Sequence, residues 1–198
     1  YKFIQGDKLA YAIPVFDDSG WKTIQADRIW EASGYEPYDG YAWYRIKVTI
    51  PSSLKQNAFL QDSLRLYMGK INNFDQTFLN GSLIGSNSRN IPSGTIPDTL
   101  FKTAPQGMWD VKRSYTLAVN DQRIKWDQEN VIAVRVFDEG GQGGMYTGDQ
   151  AVMMTKISDY LTIDNNQNSY GFKNGNLVKS INLQNTSGSY IIEGDFTI

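Results

Sequence analysis

The chain has 198 residues, 40% of them hydrophobic and 13% aromatic, a composition typical of one folded domain, or of one domain with a small appendage. It contains no histidine and no cysteine, which excludes Ser-His-Asp and Cys-His catalysis and the usual zinc sites. The formal net charge of −2 argues against a nucleic-acid-binding surface, and no apolar run is long enough to predict a membrane span.

The first half of the chain alternates apolar and polar residues with a period of two, which predicts half-buried antiparallel strands. Within residues 43–50 the even-numbered side chains are expected to face the core, while Trp43 and Arg45 face outward. Residues 64–68 alternate in the same way. The dipeptide Asn80-Gly81 predicts a hairpin, because a type I′ turn needs positive φ angles at both central residues.

The second half continues the pattern, with Arg135 pointing outward from a strand over residues 131–137. Residues 164–176 are polar and rich in turn formers, so we expect them to separate two groups of strands or to form a long hairpin loop. Many short strands with turn signals between them predict an all-β fold, an antiparallel β-sandwich. Further strands are predicted at residues 74–80, 115–119, 151–157, 177–182 and 190–198, and a helical turn or two at residues 52–59.

The most conspicuous loop is glycine-rich and lies within residues 135–148, "RVFDEGGQGGMYTG". A dinucleotide-binding fingerprint would need a third glycine where Tyr146 stands, and a helix after it. The residues that follow alternate like a strand instead. The glycines are therefore interpreted as a turn that ends one strand and begins the next.

An aromatic cluster in residues 35–45 suits the binding of a sugar. Aromatic rings can lie against the C–H faces of a pyranose, while charged groups such as Asp39 and Arg45 bond its hydroxyls. The alternative is structural, with Arg45 paired to Asp39 or to another acid. The candidate carbohydrate-binding residues of the whole chain are Tyr38, Asp39, Tyr41, Trp43, Arg45, Trp109, Gln142 and Tyr146.

Two pairs of neighbouring acids are candidates for metal binding or catalysis. Asp17 and Asp18 are candidate ligands of a structural calcium ion, which prefers carboxylate and carbonyl oxygens. The alternative is that this pair caps a turn before a buried Trp21. Asp138 and Glu139 point to opposite faces of a strand, so they make poor partners for acid–base catalysis. No other metal and no cofactor is expected.

Three blocks of the chain, in order, resemble a known module. Residues 16–51 contain "DDSGW" and "DGYAWYR", residues 64–86 contain "LNGSLIG", and residues 115–148 contain "NVIAVRVFDEGGQGG". They are similar to the sugar-binding jelly-roll domain of family 2 glycoside hydrolases and of sialate O-acetylesterases. Asn72 and Asn73 stand where that family usually has acids, which departs from its pattern.

The resemblance implies a galactose-binding-like jelly-roll domain, which we assign to residues 1–160. Residues 161–198 are expected to supply C-terminal strands that complete the sandwich or form a small appendage. In the resembled family the module is non-catalytic by itself, and it can lend loop residues to the active site of a neighbouring domain.

Three functions follow as hypotheses. The first is a carbohydrate-binding accessory module of a secreted, periplasmic or extracellular, glycoside-hydrolase-type protein, with an oligosaccharide or polysaccharide ligand and a neighbouring catalytic domain. The second is a docking or spacer domain, which a surface patch of Met145, Tyr146 and Trp109 would favour. The third is a free-standing hydrolase that uses Asp39 with Glu31 or Asp138.

Overall fold

The computed structural model describes residues 1–57, 63–87, 109–154 and 161–185. The chain divides into two compact units, Tyr1–Met154 and Thr155–Ile198. The strands, in chain order, are β1 (Lys2–Gln5), β2 (Lys22–Thr23), β3 (Gly40–Thr49), β4 (Ser63–Asn72), β5 (Phe74–Leu79), β6 (Ser82–Ser86), β7 (Lys112–Ala118), β8 (Glu129–Asp138), β9 (Gly144–Met154), β10 (Leu161–Lys173) and β11 (Asn176–Asn185).

Short 3₁₀ helices are the helical elements in the described ranges, at Leu9–Ala12, Glu31–Ser33 and Ser52–Asn57. The last of them confirms the helical turn expected from residue 52 onward. No helix in the part of the chain that is described is long and apolar enough to cross a membrane.

The first unit is built from two antiparallel sheets. One has six strands in the order β2-β1-β3-β8-β5-β6, and the other has three in the order β7-β4-β9. Strands β3 and β8 pair along their whole length, from Gly40 opposite Asp138 to Thr49 opposite Glu129. The predicted all-β, antiparallel β-sandwich is confirmed.

The main core lies between the two sheets and contains the predicted inward rows. One buried cluster holds side chains from three strands and from the residue after β3. Its members include Tyr44, Ile50, Leu64, Leu66 and Val134. These side chains alternate along their strands, so one face of each strand supplies the core. The period-two predictions for the inward faces are confirmed.

The predictions for the outward faces of β3 and β8 are wrong at three positions, although Lys47 and Thr49 on the same face of β3 are exposed as predicted. Trp43, Arg45 and Arg135 were expected to face solvent, but all three side chains are buried. The segment of residues 7–21 covers this side of the six-stranded sheet and adds a second, smaller core. Its buried members are Tyr11, Ala12, Trp21, Trp43, Phe78 and Ala133.

A buried ion pair joins the two sheets. Asp75 lies on β5 of the six-stranded sheet, and Arg113 lies on β7 of the three-stranded sheet. The Nε atom of Arg113 donates to Oδ1 of Asp75 at 2.9 Å, and its Nη2 atom donates to the carbonyl oxygen of Ile71 at 2.6 Å. The polar contact therefore links three strands across the interior.

The turn predictions divide into one success and one error. Leu79 pairs with Ser82 around Asn80 and Gly81, whose φ angles of 50° and 87° are both positive, which confirms the hairpin. The long loop expected over residues 164–176 is wrong, because β10 and β11 pair with each other through most of it. The predicted strand at residues 190–198, and residues 155–157 of another, lie outside the described residues.

Candidate functional site

A cleft of about 250 Å³ lies beside the glycine-rich loop between β8 and β9. The indole of Trp109 is about half exposed (51%), whereas Asn72 at the end of β4 is almost buried. The residues that line the cleft are Ile29, Asn72, Trp109, Gln142 and Tyr146. It thus combines aromatic surface with two side-chain amides.

Two hydrogen bonds hold the cleft together. The Nδ2 atom of Asn72 donates to the backbone carbonyl of Gln142, which ties the glycine-rich loop to β4. The hydroxyl of Tyr146 donates to the backbone carbonyl of Trp109, which ties β9 to the segment before β7. The Asn72 amide and the Tyr146 hydroxyl are therefore each fixed to a backbone carbonyl in another part of the cleft wall.

The glycine-rich loop packs closely on residues 30 and 31. A Cβ atom at Gly143 would lie 2.0 Å from the buried ring of Trp30, so the loop can approach only with glycine at this position. The carboxylate of Glu31 accepts a hydrogen bond from the Gly143 backbone N–H at 3.1 Å, and Trp30 N–H donates to the Gly143 carbonyl at 3.1 Å. Close packing against Trp30, and not a positive φ angle, explains the glycine at this position.

A buried carboxyl group lies at the start of the same loop. Asp138 is 1% exposed, its Oδ1 accepts from Gly140 N–H at 3.2 Å, and its Oδ2 has no hydrogen-bond partner among the described residues. Burial, with a smaller effect of the nearby Asp39 and Glu31 carboxylates, raises the pKa of Asp138 to about 6. The ionised form of Asp138 is therefore disfavoured in the folded chain.

Replacing Asp138 with asparagine is expected to change how stability depends on pH. An unfolded aspartate loses its proton near pH 4, but the folded Asp138 keeps it to about pH 6, so the wild-type free energy of unfolding falls as pH rises through this interval. The Asp138→Asn variant lacks this titration, so its free energy of unfolding should rise relative to wild type by roughly 2–3 kcal/mol between pH 4 and pH 7. Urea unfolding of both chains across this range measures the difference. Parallel curves would contradict the expectation.

The structure brings three of the predicted site residues together, Trp109, Gln142 and Tyr146, at the cleft. Asp39 is exposed, but it does not line this cleft. Asn72 was not predicted as a site residue. The sequence marked it only as a departure from a family pattern, and its partner Gln142 lies 70 residues away in the chain.

Tyr38 and Tyr41 are half-buried and make structural contacts. The Tyr38 hydroxyl accepts from Gly6 N–H at 3.1 Å, and its ring packs edge-on against Trp30 at 5.5 Å. The Tyr41 ring lies 4.7 Å from that of Phe137. A contact of either ring with sugar stays a prediction.

The prediction that Trp43 and Arg45 contact a sugar is wrong, because both side chains are buried under the segment of residues 7–21. Trp43 donates from Nε1 to Asp7 at 2.8 Å. Arg45 donates from Nε to Asp18 at 2.8 Å, and its guanidinium also bonds backbone carbonyls of the covering segment. The structural alternative for Arg45, a pairing with another acid, is confirmed.

The candidate calcium ligands have protein partners. Asp18 pairs with Arg45, while Asp17 accepts a hydrogen bond from Ser19 N–H at 3.0 Å, which lowers the pKa of Asp17. Over the ranges that the structure describes, no three acidic side chains lie together in a way that could hold a metal ion. The geometry fits the turn before the buried Trp21, and calcium stays a prediction.

Comparison with known proteins gives one family. The family model described as "Beta-galactosidase second all-beta domain" matches residues 6–125. No curated protein sequence matches the chain.

Several solved structures are similar in fold. A Bacteroides uniformis β-glucuronidase is 21% identical over 85% of this chain and 20% of its own, with a TM-score of 0.57. Bacteroides uniformis β-glucuronidase 2, covalently bound to cyclophellitol-6-carboxylate aziridine, is 18% identical over 93% of this chain and 25% of its own, with a TM-score of 0.57. A Bacteroides vulgatus β-glycosidase is 18% identical over 95% of this chain and 24% of its own, with a TM-score of 0.54. The chain spans a quarter or less of each, and the likeness is one of fold.

Proposed function

The chain belongs to the family of β-galactosidase second all-β domains, and from this premise we propose that it is a non-catalytic carbohydrate-binding module of a family 2 glycoside-hydrolase-type protein. The observation that carries the proposal is the cleft, where the half-exposed indole of Trp109 lies beside the amides of Asn72 and Gln142. The proposal includes a neighbouring catalytic domain and a periplasmic or extracellular location. The proposal also includes a galactose-binding-like jelly-roll topology. This topology is implied by the three sequence blocks, which resemble a module of family 2 glycoside hydrolases and of sialate O-acetylesterases.

The chemistry of the cleft suits a sugar ring. An indole face offers apolar surface to the C–H groups of a pyranose, while an amide can both donate to and accept from hydroxyls. A volume of about 250 Å³ lies just below the range of roughly 300–1,000 Å³ that holds larger ligands, so we expect one sugar residue to occupy it. Binding is expected to be weak, because so small a cleft buries little surface.

Replacing Trp109 with alanine is expected to weaken oligosaccharide binding at least tenfold, because one aromatic anchor supplies most of the contact in so small a site. Tyr146→Phe should weaken binding by a smaller factor, since it removes only the hydroxyl that donates to the Trp109 carbonyl. Phe172→Ala is the matched control, because it removes another exposed aromatic ring, on β10, and should leave binding unchanged.

Calorimetric titration with the oligosaccharide found on a broad glycan array measures these effects. The proposal is contradicted if the array gives no signal and millimolar oligosaccharides leave the tryptophan fluorescence of the wild-type chain unchanged.

A structural docking function is the second candidate, and the β10–β11 hairpin favours it. Phe172 is 83% exposed and pairs with Leu177, which is 65% exposed. A two-stranded hairpin is marginally stable in water by itself, so a partner that covers this face would stabilise it. Of the three residues whose patch would favour docking, Met145 is buried between the sheets, whereas Tyr146 and Trp109 line the cleft. Docking becomes the better hypothesis if the wild-type chain binds no sugar.

The free-standing hydrolase gains no support from the geometry. Glu31 uses its carboxylate to bond the Gly143 backbone, and Asp138 is almost fully buried. A glycoside hydrolase needs two carboxyl groups that both reach the substrate. Neither Glu31 nor Asp138 is free and exposed to act as the partner of Asp39.

A further inference from the structure

We infer that the cleft selects neutral sugars and rejects uronic acids, a selectivity that presupposes the proposed sugar-binding function. The lining residues that the structure describes carry no formal charge at neutral pH, since they are one aliphatic side chain, two aromatic ones and two amides. Protein sites for carboxylates ordinarily contain arginine or lysine, because these cations offset the cost of removing the anion from water. None of the five lining residues is a cation.

Two cations of the described residues near the cleft have anionic partners. Lys70 forms an ion pair with Asp110, and the buried Arg113 forms one with Asp75. Both cations and Asp110 lie close enough to Tyr146 to act on its phenol, whose pKa is raised chiefly by burial. A uronate that entered the cleft would have to compete with a carboxylate of the protein for either cation.

The loop beside the cleft is acidic, which adds a second reason for selectivity. The carboxylate of Glu31 lies 3.1 Å from the backbone nitrogen of Gly143, the residue after Gln142. Glu139, three residues before Gln142, is exposed. A ligand carboxylate placed against Gln142 would therefore meet like charge, which is unfavourable even where water screens it.

Asn72 keeps the buried side of the cleft neutral. Its Nδ2 atom donates to the Gln142 carbonyl, a bond that an ionised aspartate at this position could not make. The amide thus fixes the loop without bringing a charge into the cleft wall. The exposed side chain of Gln142 can be replaced without breaking this bond, because the bond uses the backbone carbonyl of Gln142.

The test uses pairs of methyl glycosides that differ only at C6. Titration of the 198-residue chain with methyl β-glucoside and methyl β-galactoside, against methyl β-glucuronide and methyl β-galacturonide, is expected to show at least tenfold tighter binding of a neutral sugar than of its uronide. The Gln142→Arg variant should bind the uronide at least tenfold more tightly than wild type does, because it places a guanidinium in the cleft. Gln142→Met, of similar length but uncharged, is the control: it removes the same amide, which should weaken binding of every sugar, and it should give no gain in affinity for the uronide.

Each outcome bears on a different claim. Equal or tighter binding of the uronide by the wild-type chain overturns the selectivity and leaves the sugar-binding function intact. A Gln142→Arg variant that binds neutral sugar but shows no gain for the uronide overturns the argument from charge. Failure of all four glycosides to bind overturns the selectivity, and together with a glycan array that gives no signal it overturns the sugar-binding function as well.

Discussion

Replacing Asp75 with alanine is expected to lower the free energy of unfolding by about 3–5 kcal/mol, because it leaves a buried guanidinium without its carboxylate. Asp75 and Arg113 are both buried, and their bond joins β5 of one sheet to β7 of the other. The second oxygen of Asp75 accepts from the hydroxyls of Thr77, at 3.1 Å, and Tyr115. The substitution therefore deprives three buried donors of an acceptor.

Urea unfolding followed by tryptophan fluorescence measures this effect in the relevant part of the chain, since all five tryptophans lie within Tyr1–Met154. The control is an exposed ion pair, Lys47 with Glu129 at 3.1 Å, whose side chains are 54% and 60% exposed. Glu129→Ala should cost about 0.5 kcal/mol or less, because water screens the exposed pair.

A double variant separates the unpaired charge from the loss of packing. Asp75→Leu with Arg113→Met replaces both partners by apolar side chains, and we expect it to regain most of the stability that Asp75→Ala loses. A cost of Asp75→Ala no larger than that of Glu129→Ala would contradict the expectation that this pair holds the sheets together.

Replacing Gly143 with alanine is expected to cost about 3 kcal/mol, the upper end of the usual range for overpacking a core. The new methyl group would lie 2.0 Å from the ring of Trp30, which is fully buried and packs against Phe3 and Tyr38. At this distance the loop, the ring or the core around it must shift.

Gly20→Ala is the matched control for this substitution. A Cβ atom at Gly20 would meet nothing within 4 Å, and its φ angle is not positive, so the change should stay within about 0.5 kcal/mol. Thermal unfolding of the two variants compares them directly. Equal melting temperatures would contradict the expectation, because they would show that a Cβ atom at position 143 is accommodated beside the ring of Trp30.

Much of the fold was predictable because alternation along a strand records which face is buried. This signal identified β3, β4 and β8 and the inward rows of each, and Asn80-Gly81 identified the hairpin from backbone angles alone. Strand β10 was missed, because its polar residues carry no burial pattern and its pairing with β11 depends on backbone hydrogen bonds.

The candidate site was predictable only in part. Gln142 and Tyr146 follow a run of glycines, which is a local signal, but their neighbours in the cleft, Asn72 and Trp109, are distant in sequence. Trp43 and Arg45 carry the residue types of a sugar site, yet both are buried under a segment that precedes them in the chain. Residue type indicates what a side chain can bind, whereas exposure decides whether it can do so.

The sequence by itself determined the strand faces, the hairpin turn and the absence of histidine and cysteine chemistry, because each depends on local order or on composition. Only the tertiary structure decided that residues 7–21 cover the outer face of β3 and β8, and that Asp75 finds Arg113 between the sheets. It also decided that Gly143 carries no side chain because the ring of Trp30 occupies that space. These contacts join residues far apart in the chain, and their geometry exists only once the sheets have packed.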